Sequence, residues 1–178
     1  MNICLFGASS ENIDNIYFKE VETLGKMMAE RGHGMVFGGG ATGLMGAAAR
    51  GLSAAGGKSI GIAPRFFDQP GVLFSSCTEF IFTDTMRQRK QHMEDLSDAF
   101  IIVPGGIGTF EEFFEILTLK QLGRHDKPIA VFNINHYYDD IVSSIKKAVD
   151  GGFLNEIHLG IFKVSENAEE ILNYIESK

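Results

Sequence analysis

The sequence predicts an α/β protein with a doubly wound, mostly parallel, Rossmann-like sheet in a three-layer α/β/α arrangement. Short apolar runs of strand length alternate with helix-like segments throughout the 178 residues, as expected for strands buried on both faces of a parallel sheet. Glycine- or serine-rich loops follow three of these runs, at the strand ends where ligands of this fold bind. No linker, repeat or low-complexity tract interrupts the pattern, so we expect residues 1–178 to form a single Rossmann-like domain.

The first half of the chain contains three expected strands and two expected helices. The strands are Ile3–Phe6, Met35–Phe37 and Ser59–Ala63, and the helices run from about Asp14 to Arg31 and through an alanine-rich segment to about Ala55. Gly32 and Gly34 end the first helix, since glycine readily adopts the conformation that follows a helix. Pro64 closes the third strand because it has no amide hydrogen. The segment from Arg65 to Ser76 is irregular in composition.

The second half continues the alternation around one central strand, Ala99–Val103. The other expected elements are a short strand Glu79–Phe82, a helix from about Thr85 to Leu96, a helix opened by Thr109 and ending near Leu122, a strand Pro128–Phe132, a helix from about Tyr137 to Val149, and a short helix, a short strand and a helix from about Asn167. The central run is uninterrupted and partly β-branched, which favours a strand buried on both faces.

Composition and charge exclude several classes of function. A net charge of −7 argues against a general nucleic-acid or membrane-surface binder. Cys4 and Cys77 match no metal or redox spacing, and the five histidines have no metal-binding pattern. The chain shows no signal peptide and no apolar run long enough to cross a bilayer. We therefore expect a cytoplasmic protein that needs neither a metal nor another cofactor.

The loop after the central strand has the composition of a phosphate cradle. Pro104 stops the strand, and Gly105, Gly106 and Gly108 let the backbone approach a ligand closely. With Ile107 and Thr109 they lead into a helix N-terminus, where free amide hydrogens and the helix dipole favour an anion. Thr109-Phe110-Glu111-Glu112 also fits a capping box, in which Glu112 would merely cap the helix. Three glycines and a proline are more than a cap requires.

Two further loops lie at expected strand ends and supply candidate ligand contacts. These candidates are Ser9 in the first loop and Gly39, Gly40 and Thr42 in the second. The second loop contains G-x-G-x-x-G, but the region about twenty residues on, Lys58 to Arg65, has no acid for a dinucleotide ribose. A P-loop fails because Leu52 stands where that motif needs glycine, and no G-x-S-x-G elbow is present.

A basic segment, Met86-Arg87-Gln88-Arg89-Lys90, precedes the central strand. Arg89 shares a helical stripe with Met86, Met93 and Leu96, where an unpaired charge is costly. It therefore needs an anionic partner, which is either a structural carboxylate or a ligand phosphate. Arg87 is expected on a solvated face.

This basic segment, followed by Pro104-Gly105-Gly106-Ile107-Gly108-Thr109-Phe110-Glu111-Glu112, resembles the signature pair of the LONELY GUY (LOG) family. Those proteins are cytokinin riboside 5′-monophosphate phosphoribohydrolases that were long labelled lysine decarboxylases. The resemblance implies that Arg89 and Glu112 are the catalytic pair, and that Lys90, Gly106 to Glu111 and Thr118 contact the nucleotide. It also implies a homodimer with sites near the subunit interface. Phe66 stands where plant members often carry Glu.

The resemblance implies hydrolysis of a nucleoside 5′-monophosphate to free base and ribose 5-phosphate. Breaking an N-glycosidic bond develops positive charge on the ribose, which a carboxylate can stabilise. A helix N-terminus is expected to keep Glu112 ionised, while Arg89 orients it and balances its charge. The alternative is a nucleotide- or cofactor-binding carrier without catalysis. A lysine decarboxylase would need a Schiff-base lysine, and Lys90 is better explained by phosphate.

Overall fold

The computed structural model describes residues 1–178, and its centre is a seven-stranded sheet in the order β4-β3-β2-β1-β5-β6-β7. The strands are β1 Asn2–Phe6, β2 Gly34–Phe37, β3 Ser59–Pro64, β4 Glu79–Thr83, β5 Ala99–Ile102, β6 Ile129–Phe132 and β7 Lys163–Ser165. Every neighbouring pair is parallel. The strand order runs outward in both directions from the β1–β5 pair, which makes that pair the switch point of a doubly wound sheet.

Six α-helices cover the two faces of the sheet and confirm the three-layer prediction. They are α1 Asn15–Glu30, α2 Gly43–Ala54, α3 Met86–Asp95, α4 Ile107–Gln121, α5 Asp139–Asp150 and α6 Ala168–Glu176. One core lies beneath α1, α2 and α6, and a second core lies beneath α3, α4 and α5. Side chains of β1 alternate between the two cores, with Leu5 in the first and Phe6 in the second. No helix has the length and apolar character needed to cross a bilayer.

The start of α4 differs from the prediction. Thr109 does not open the helix, which begins at Ile107 with Gly106 as its N-cap residue. The predicted alternative of a capping box at Glu112 is therefore wrong, because Thr109 lies inside the first turn. A Cβ on Gly105 would come within 2.1 Å of the Thr109 hydroxyl oxygen, so glycine is what allows this tight entry into the helix. The actual capping box is Thr85 with Gln88 at the start of α3.

Smaller boundary corrections also have physical causes. Pro64 is the last residue of β3 and not a residue beyond it; its missing amide is tolerated at a strand terminus. The helix expected from Tyr137 begins at Asp139, because Tyr138 has φ −97° and ψ 3°, outside the α-helical region, and its amide donates to the Asn133 side chain. Arg65–Phe67 and Glu156–Gly160 form short 3-10 turns.

Helices α1 and α2 lie in backbone contact, and two glycines make this possible. A Cβ on Gly51 would lie 1.9 Å from the Glu22 carbonyl oxygen, and one on Gly25 would lie 2.2 Å from the Ala48 carbonyl oxygen. The alanine-rich sequence of α2 keeps the remaining side chains small at this contact. The close α1–α2 contact therefore depends on glycine at positions 25 and 51 and on small side chains around them.

We expect Gly51→Ala to destabilise the protein although alanine is the better helix former. Overpacking against the Glu22 carbonyl should lower the free energy of unfolding by about 1–3 kcal/mol. Guanidinium denaturation of this variant and of Ala54→Gly, at an exposed position of the same helix, provides the measurement. The Ala54→Gly variant should lose less than about 1 kcal/mol from helix propensity, because Ala54 is the last residue of α2. A stabilised Gly51→Ala variant would contradict the close contact.

Candidate active site

The candidate site lies at the carboxyl ends of β1 and β5, where three loops are joined by hydrogen bonds to backbone carbonyls. The amide of Ala8 donates to the carbonyl of Pro104 at 3.0 Å. The carbonyl of Ala8 in turn accepts the amide of Leu44 at 2.8 Å, and the Thr42 hydroxyl donates to the Ser9 carbonyl at 3.0 Å. The switch point thus brings together the three loops that the sequence singles out.

The N-terminus of α4 has free amide groups. None of the amides from Gly106 to Thr109 donates to a protein acceptor, and no side chain caps this helix. Added Cβ atoms on Gly106 and Gly108 would meet nothing within 4 Å, and neither glycine has a positive φ. The fold therefore does not require glycine at these two positions. Their effect is to leave open space over unsatisfied donors, which is the arrangement that binds anions.

The N-terminus of α2 is different, although it also follows a glycine loop. The Ala8 carbonyl accepts the amides of Leu44 at 2.8 Å and of Met45 at 3.5 Å in the first turn of this helix. The loop itself is tied to a neighbouring segment, because Gly40 pairs with Leu73 and a Cβ on Gly39 would lie 2.7 Å from the Phe80 ring. Gly39, Gly40 and Thr42 therefore have structural roles here and do not line the cavity at the α4 N-terminus.

Arg89 and Glu112 form a buried ion pair beside the free amides. Arg89 Nη1 donates to Glu112 Oε1 at 3.1 Å, and both side chains are about 10% exposed, at 10% and 11%. Arg89 Nε donates to the carbonyl of Ile62 at 3.2 Å. The guanidinium also lies against Gly38, where a Cβ would come within 2.4 Å of Nη2. Of the two partners that Arg89 could have, a carboxylate or a phosphate, the structure supplies the carboxylate.

The electrostatics of Glu112 correct one expectation. Burial raises the pKa of the Glu112 carboxyl above its ordinary value, although the charge and hydrogen bond of Arg89 oppose the shift. Glu112 lies five residues beyond the first residue of α4, outside the turn where the helix dipole is effective. Arg89, and not the helix N-terminus, is therefore what favours its ionised form. Its second oxygen, Oε2, has no hydrogen-bond partner within the protein.

Two cavities meet at Glu112. The smaller, of about 280 Å³, is lined by Gly7, Ala8, Ser9, Met45, Met86, Arg89, Gly106, Gly108, Thr109, Glu111 and Glu112. The larger, of about 480 Å³, lies between α3 and α4 and is lined by residues that include Arg87, Lys90, Glu115 and Arg124. The Thr109 hydroxyl, which has no hydrogen-bond partner in the protein, belongs to the smaller cavity. The carboxylate of Glu112 can therefore reach molecules held in either space.

Lys90 is already paired within the protein. Its ammonium lies 2.5 Å from Glu111 and 2.7 Å from Glu115. Partial burial acts to lower the pKa of Lys90, but the two carboxylates outweigh it, so that the pKa is raised. A phosphate contact by Lys90 would require it to exchange one of these partners for the ligand.

The structure brings most of the predicted site residues together, but not all. Ser9, Arg89, Gly106, Gly108, Thr109, Glu111 and Glu112 line one cavity, and Gly105 and Ile107 flank it in the chain. Thr118 lies eleven residues beyond the first residue of α4, which is about 16 Å along the helix axis. It is exposed and far from the free amides. The sequence analysis did not identify Gly38 as the residue against which the Arg89 guanidinium packs. The run of three glycines after a strand could have indicated such a close contact.

Comparison with known proteins gives a consistent picture. A family profile described as "possible lysine decarboxylase" matches residues 45–175. The cytokinin riboside 5′-monophosphate phosphoribohydrolase LOG2 of Arabidopsis thaliana is 37% identical over 174 residues, which cover 98% of this chain and 82% of that protein. LOG5 of the same plant is 36% identical over 175 residues, with coverages of 98% and 77%.

Solved structures share the fold. A molybdenum cofactor binding protein from the phototrophic bacterium Rippkaea orientalis superimposes with a TM-score of 0.75, covering 99% of this chain and 95% of that one. Its sequence identity is 23%, so the likeness concerns the fold alone.

Because Arg89 is paired with Glu112, we expect the loss of stability on replacing Arg89 to depend on pH. In Arg89→Met, Glu112 is left buried without its cation, which should destabilise the protein by about 3–5 kcal/mol near pH 8. The carboxyl pKa, already raised by burial, would rise further. The folded variant then binds a proton that the unfolded chain does not, so its deficit should shrink as the pH falls toward 5.

Melting temperatures of wild type and variant at pH 8 and pH 5 measure this difference. Arg87→Met, at an exposed position of the same helix, is the control and should show little change at either pH. A deficit for Arg89→Met that is equal at both pH values would contradict the pairing.

Proposed function

The chain belongs to the LOG family of cytokinin riboside 5′-monophosphate phosphoribohydrolases, and on this premise we propose that it hydrolyses the N-glycosidic bond of a nucleoside 5′-monophosphate. The products are the free base and ribose 5-phosphate. The substrate is a cytokinin riboside monophosphate or a purine nucleotide of the AMP type. The observation that carries this proposal is the position of the free amides of α4 beside the buried Arg89–Glu112 pair.

The substrate phosphate binds at the start of α4 in this proposal. The amides of Gly106, Ile107, Gly108 and Thr109 have no protein acceptor, and the helix dipole adds to their attraction for an anion. From there to Glu112 the helix rises about 7.5 Å. A nucleotide anchored by its 5′-phosphate can therefore direct its ribose toward the carboxylate, which fixes the reacting carbon.

Glu112 acts on the ribose and on water. As the bond from the anomeric carbon to the base nitrogen breaks, positive charge develops on the ribose. Glu112 Oε2, which has no protein partner, stabilises that charge or accepts a proton from the attacking water. The water oxygen bonds to the anomeric carbon, and a proton ends on the departing base. Arg89 holds Oε1 and thereby fixes the direction in which Oε2 points.

A pyridoxal-dependent lysine decarboxylase, which the family description suggests, does not fit these residues. A Schiff-base lysine works best with a depressed pKa, so that its amine is free to react. Of the two cavities at Glu112, only the larger is lined by a lysine, Lys90, and the pKa of Lys90 is raised by two carboxylates. An absorbance band in the purified protein that borohydride shifts would overturn this conclusion.

A homodimer is part of the proposal, and the exposed side of α4 supports it. Ile107 is 86% exposed and Phe114 42% exposed, and both fall on one side of α4 at helical spacing. Leu122, 64% exposed, continues this stripe, and Thr118 lies within it. Thr118 is too far from the free amides of its own subunit, so its nucleotide contact would be made to a site on the partner subunit.

The unbridged Cys4 and Cys77 are compatible with a cytoplasmic location, which we also propose.

The central test is an assay of base release from AMP and isopentenyladenosine monophosphate, with adenosine in parallel. We expect release from a monophosphate and far poorer turnover of adenosine, because each lost charge-assisted bond to phosphate costs about 1.5–3 kcal/mol. Tight nucleotide binding without release would favour the carrier alternative. Equal turnover of AMP and adenosine would mean that the amides of α4 bind something else.

Glu112→Gln should lower kcat by roughly 100-fold or more. Glutamine keeps the shape and one hydrogen bond to Arg89 but removes the charge that stabilises the developing cation. Nucleotide affinity should change much less, since the phosphate contacts are untouched. Steady-state kinetics together with the melting temperature separate lost chemistry from lost folding.

Glu115→Gln is the matched control for this variant. Glu115 lies on the same helix and is also paired with a base of α3, but it is outside the proposed chemistry. Its kcat should remain near that of wild type. A folded Glu112→Gln variant with normal kcat would remove Glu112 from the mechanism.

The dimer proposal predicts that Phe114→Glu dissociates the protein and reduces its activity. A charge on the exposed apolar stripe of α4 would have to be buried in the interface at a cost that no partner offsets. Light scattering should give twice the 19.5 kDa chain mass for wild type and the chain mass for the variant. Ile16→Glu, at a 43% exposed position of α1 on the opposite layer, should stay dimeric. A monomeric, fully active wild type would refute the dimer.

A further inference from the structure

The glycine loop after β5 is held from behind by three successive hydrogen bonds. The carbonyl of Val103 accepts the Tyr138 hydroxyl at 2.8 Å. The next carbonyl, that of Pro104, accepts the amide of Ala8 at 3.0 Å. The third, that of Gly105, accepts the Tyr137 hydroxyl at 2.6 Å. No carbonyl in this run is left to face the proposed anion, for which a carbonyl oxygen would be repulsive.

The third bond determines where one amide points. A peptide group is planar and trans, and the structure contains no cis peptide. The N–H of Gly106 therefore points opposite to the carbonyl of Gly105 within the same peptide unit. A donor bound to that carbonyl also polarises the unit and strengthens its N–H as a donor. The Val103 bond cannot act in this way, because the nitrogen in its peptide unit belongs to Pro104 and carries no hydrogen.

We propose that Tyr137 is a positioning residue for the phosphate, acting through the Gly105–Gly106 peptide. Its hydroxyl fixes the carbonyl of Gly105 and so directs the amide of Gly106 toward the ligand. The inference rests on the proposed function in one respect, namely that a phosphate binds at the N-terminus of α4. Tyr138 supports the same loop but directs no amide.

The chain reaches this arrangement through an unfavourable turn. Asn135 and His136 have φ angles of 52° and 61°, and a non-glycine residue in the left-handed region costs roughly 1–2 kcal/mol. Such strain persists only where the surroundings hold it in place. The Asn133 side chain provides part of that support, accepting the amide of Tyr138 at 2.7 Å and donating to Asp139 at 2.7 Å. The turn places two consecutive tyrosine hydroxyls under the loop.

Packing alone does not account for Tyr137. Its residue surface is 41% exposed, so burial of the ring contributes only in part, and its edge-to-face contact with Tyr17 at 6.2 Å would be kept by phenylalanine. Burial raises the pKa of the Tyr137 hydroxyl, so the group remains a protonated donor at neutral pH. The hydroxyl hydrogen bond is thus the feature that distinguishes tyrosine from phenylalanine at this position.

The test compares Tyr137→Phe, Tyr138→Phe and Tyr17→Phe by calorimetric titration with ribose 5-phosphate and with ribose. Each variant removes one hydroxyl. Loss of the Tyr137 bond should weaken ribose 5-phosphate binding roughly 3- to 10-fold, leave ribose binding unchanged, and shift the NMR signal of the Gly106 amide. Tyr138→Phe should lower the melting temperature with less than a twofold change in affinity. Tyr17→Phe, whose hydroxyl makes no hydrogen bond in the protein, should match wild type in both.

Three results would overturn the inference. They are unchanged ribose 5-phosphate affinity in Tyr137→Phe, an equal loss of affinity in Tyr138→Phe, and a wild type that does not bind ribose 5-phosphate. The second would show that the hydroxyls only stabilise the loop as a whole. A wild type that binds ribose 5-phosphate but releases no base would refute the proposed hydrolysis, while the affinities of the variants would still decide the role of Tyr137.

Discussion

Arg89 places a guanidinium in the interior between α3, the carboxyl end of β3 and the second turn of α4. A charge in that position must be paired and hydrogen-bonded, since leaving it unpaired costs several kcal/mol. Glu112 supplies the charge and the Ile62 carbonyl supplies a further acceptor. Gly38 has no side chain and so leaves space for the Arg89 guanidinium. The ion pair thus joins α3 and α4 near the switch point of the sheet. The same contact offsets the cost of burying the Arg89 charge and fixes the position of the reactive carboxylate.

The sequence predicted the fold well because burial alone determines most of it. Uninterrupted apolar runs such as Ala99–Val103 can bury both of their faces only between two layers of helices. The loop glycines mark where the strands end. The start of α4 was misjudged for a specific reason. Thr109 has the side chain of an N-cap residue, but Gly105 lets the backbone enter the helix earlier, with Gly106 as the N-cap residue. In the sequence, Thr109 indicates one start for the helix and the preceding glycines indicate an earlier one. Only the packing of Thr109 against Gly105 in three dimensions decides between them.

The site was predicted less completely than the fold. Arg89 could be recognised as needing an anion from its helical stripe, but the choice between a carboxylate and a phosphate depends on how α3 meets α4. The sequence predicts a phosphate contact for Lys90, and only the structure shows that α4 also presents two carboxylates to it. The loops containing Gly39 and Gly105 look alike in the sequence, since each is a glycine loop that leads from a strand into a helix. They differ in the structure because the Ala8 carbonyl, a backbone group with no sequence signature, accepts amides at the start of α2, whereas no protein group accepts the first amides of α4.

Neither steric contacts nor backbone conformation require glycine at positions 106 and 108. Selection for protein abundance and selection for catalysis would therefore act differently on this loop. Alanine favours a helix over glycine by about 1 kcal/mol, so replacing Gly108 would increase the amount of folded protein in a cell. The same methyl group would occupy the space above the free amides. A Gly108→Ala variant would therefore score as improved when abundance is selected and as defective when catalysis is selected. Gly51 and Gly25, by contrast, would fail in both selections.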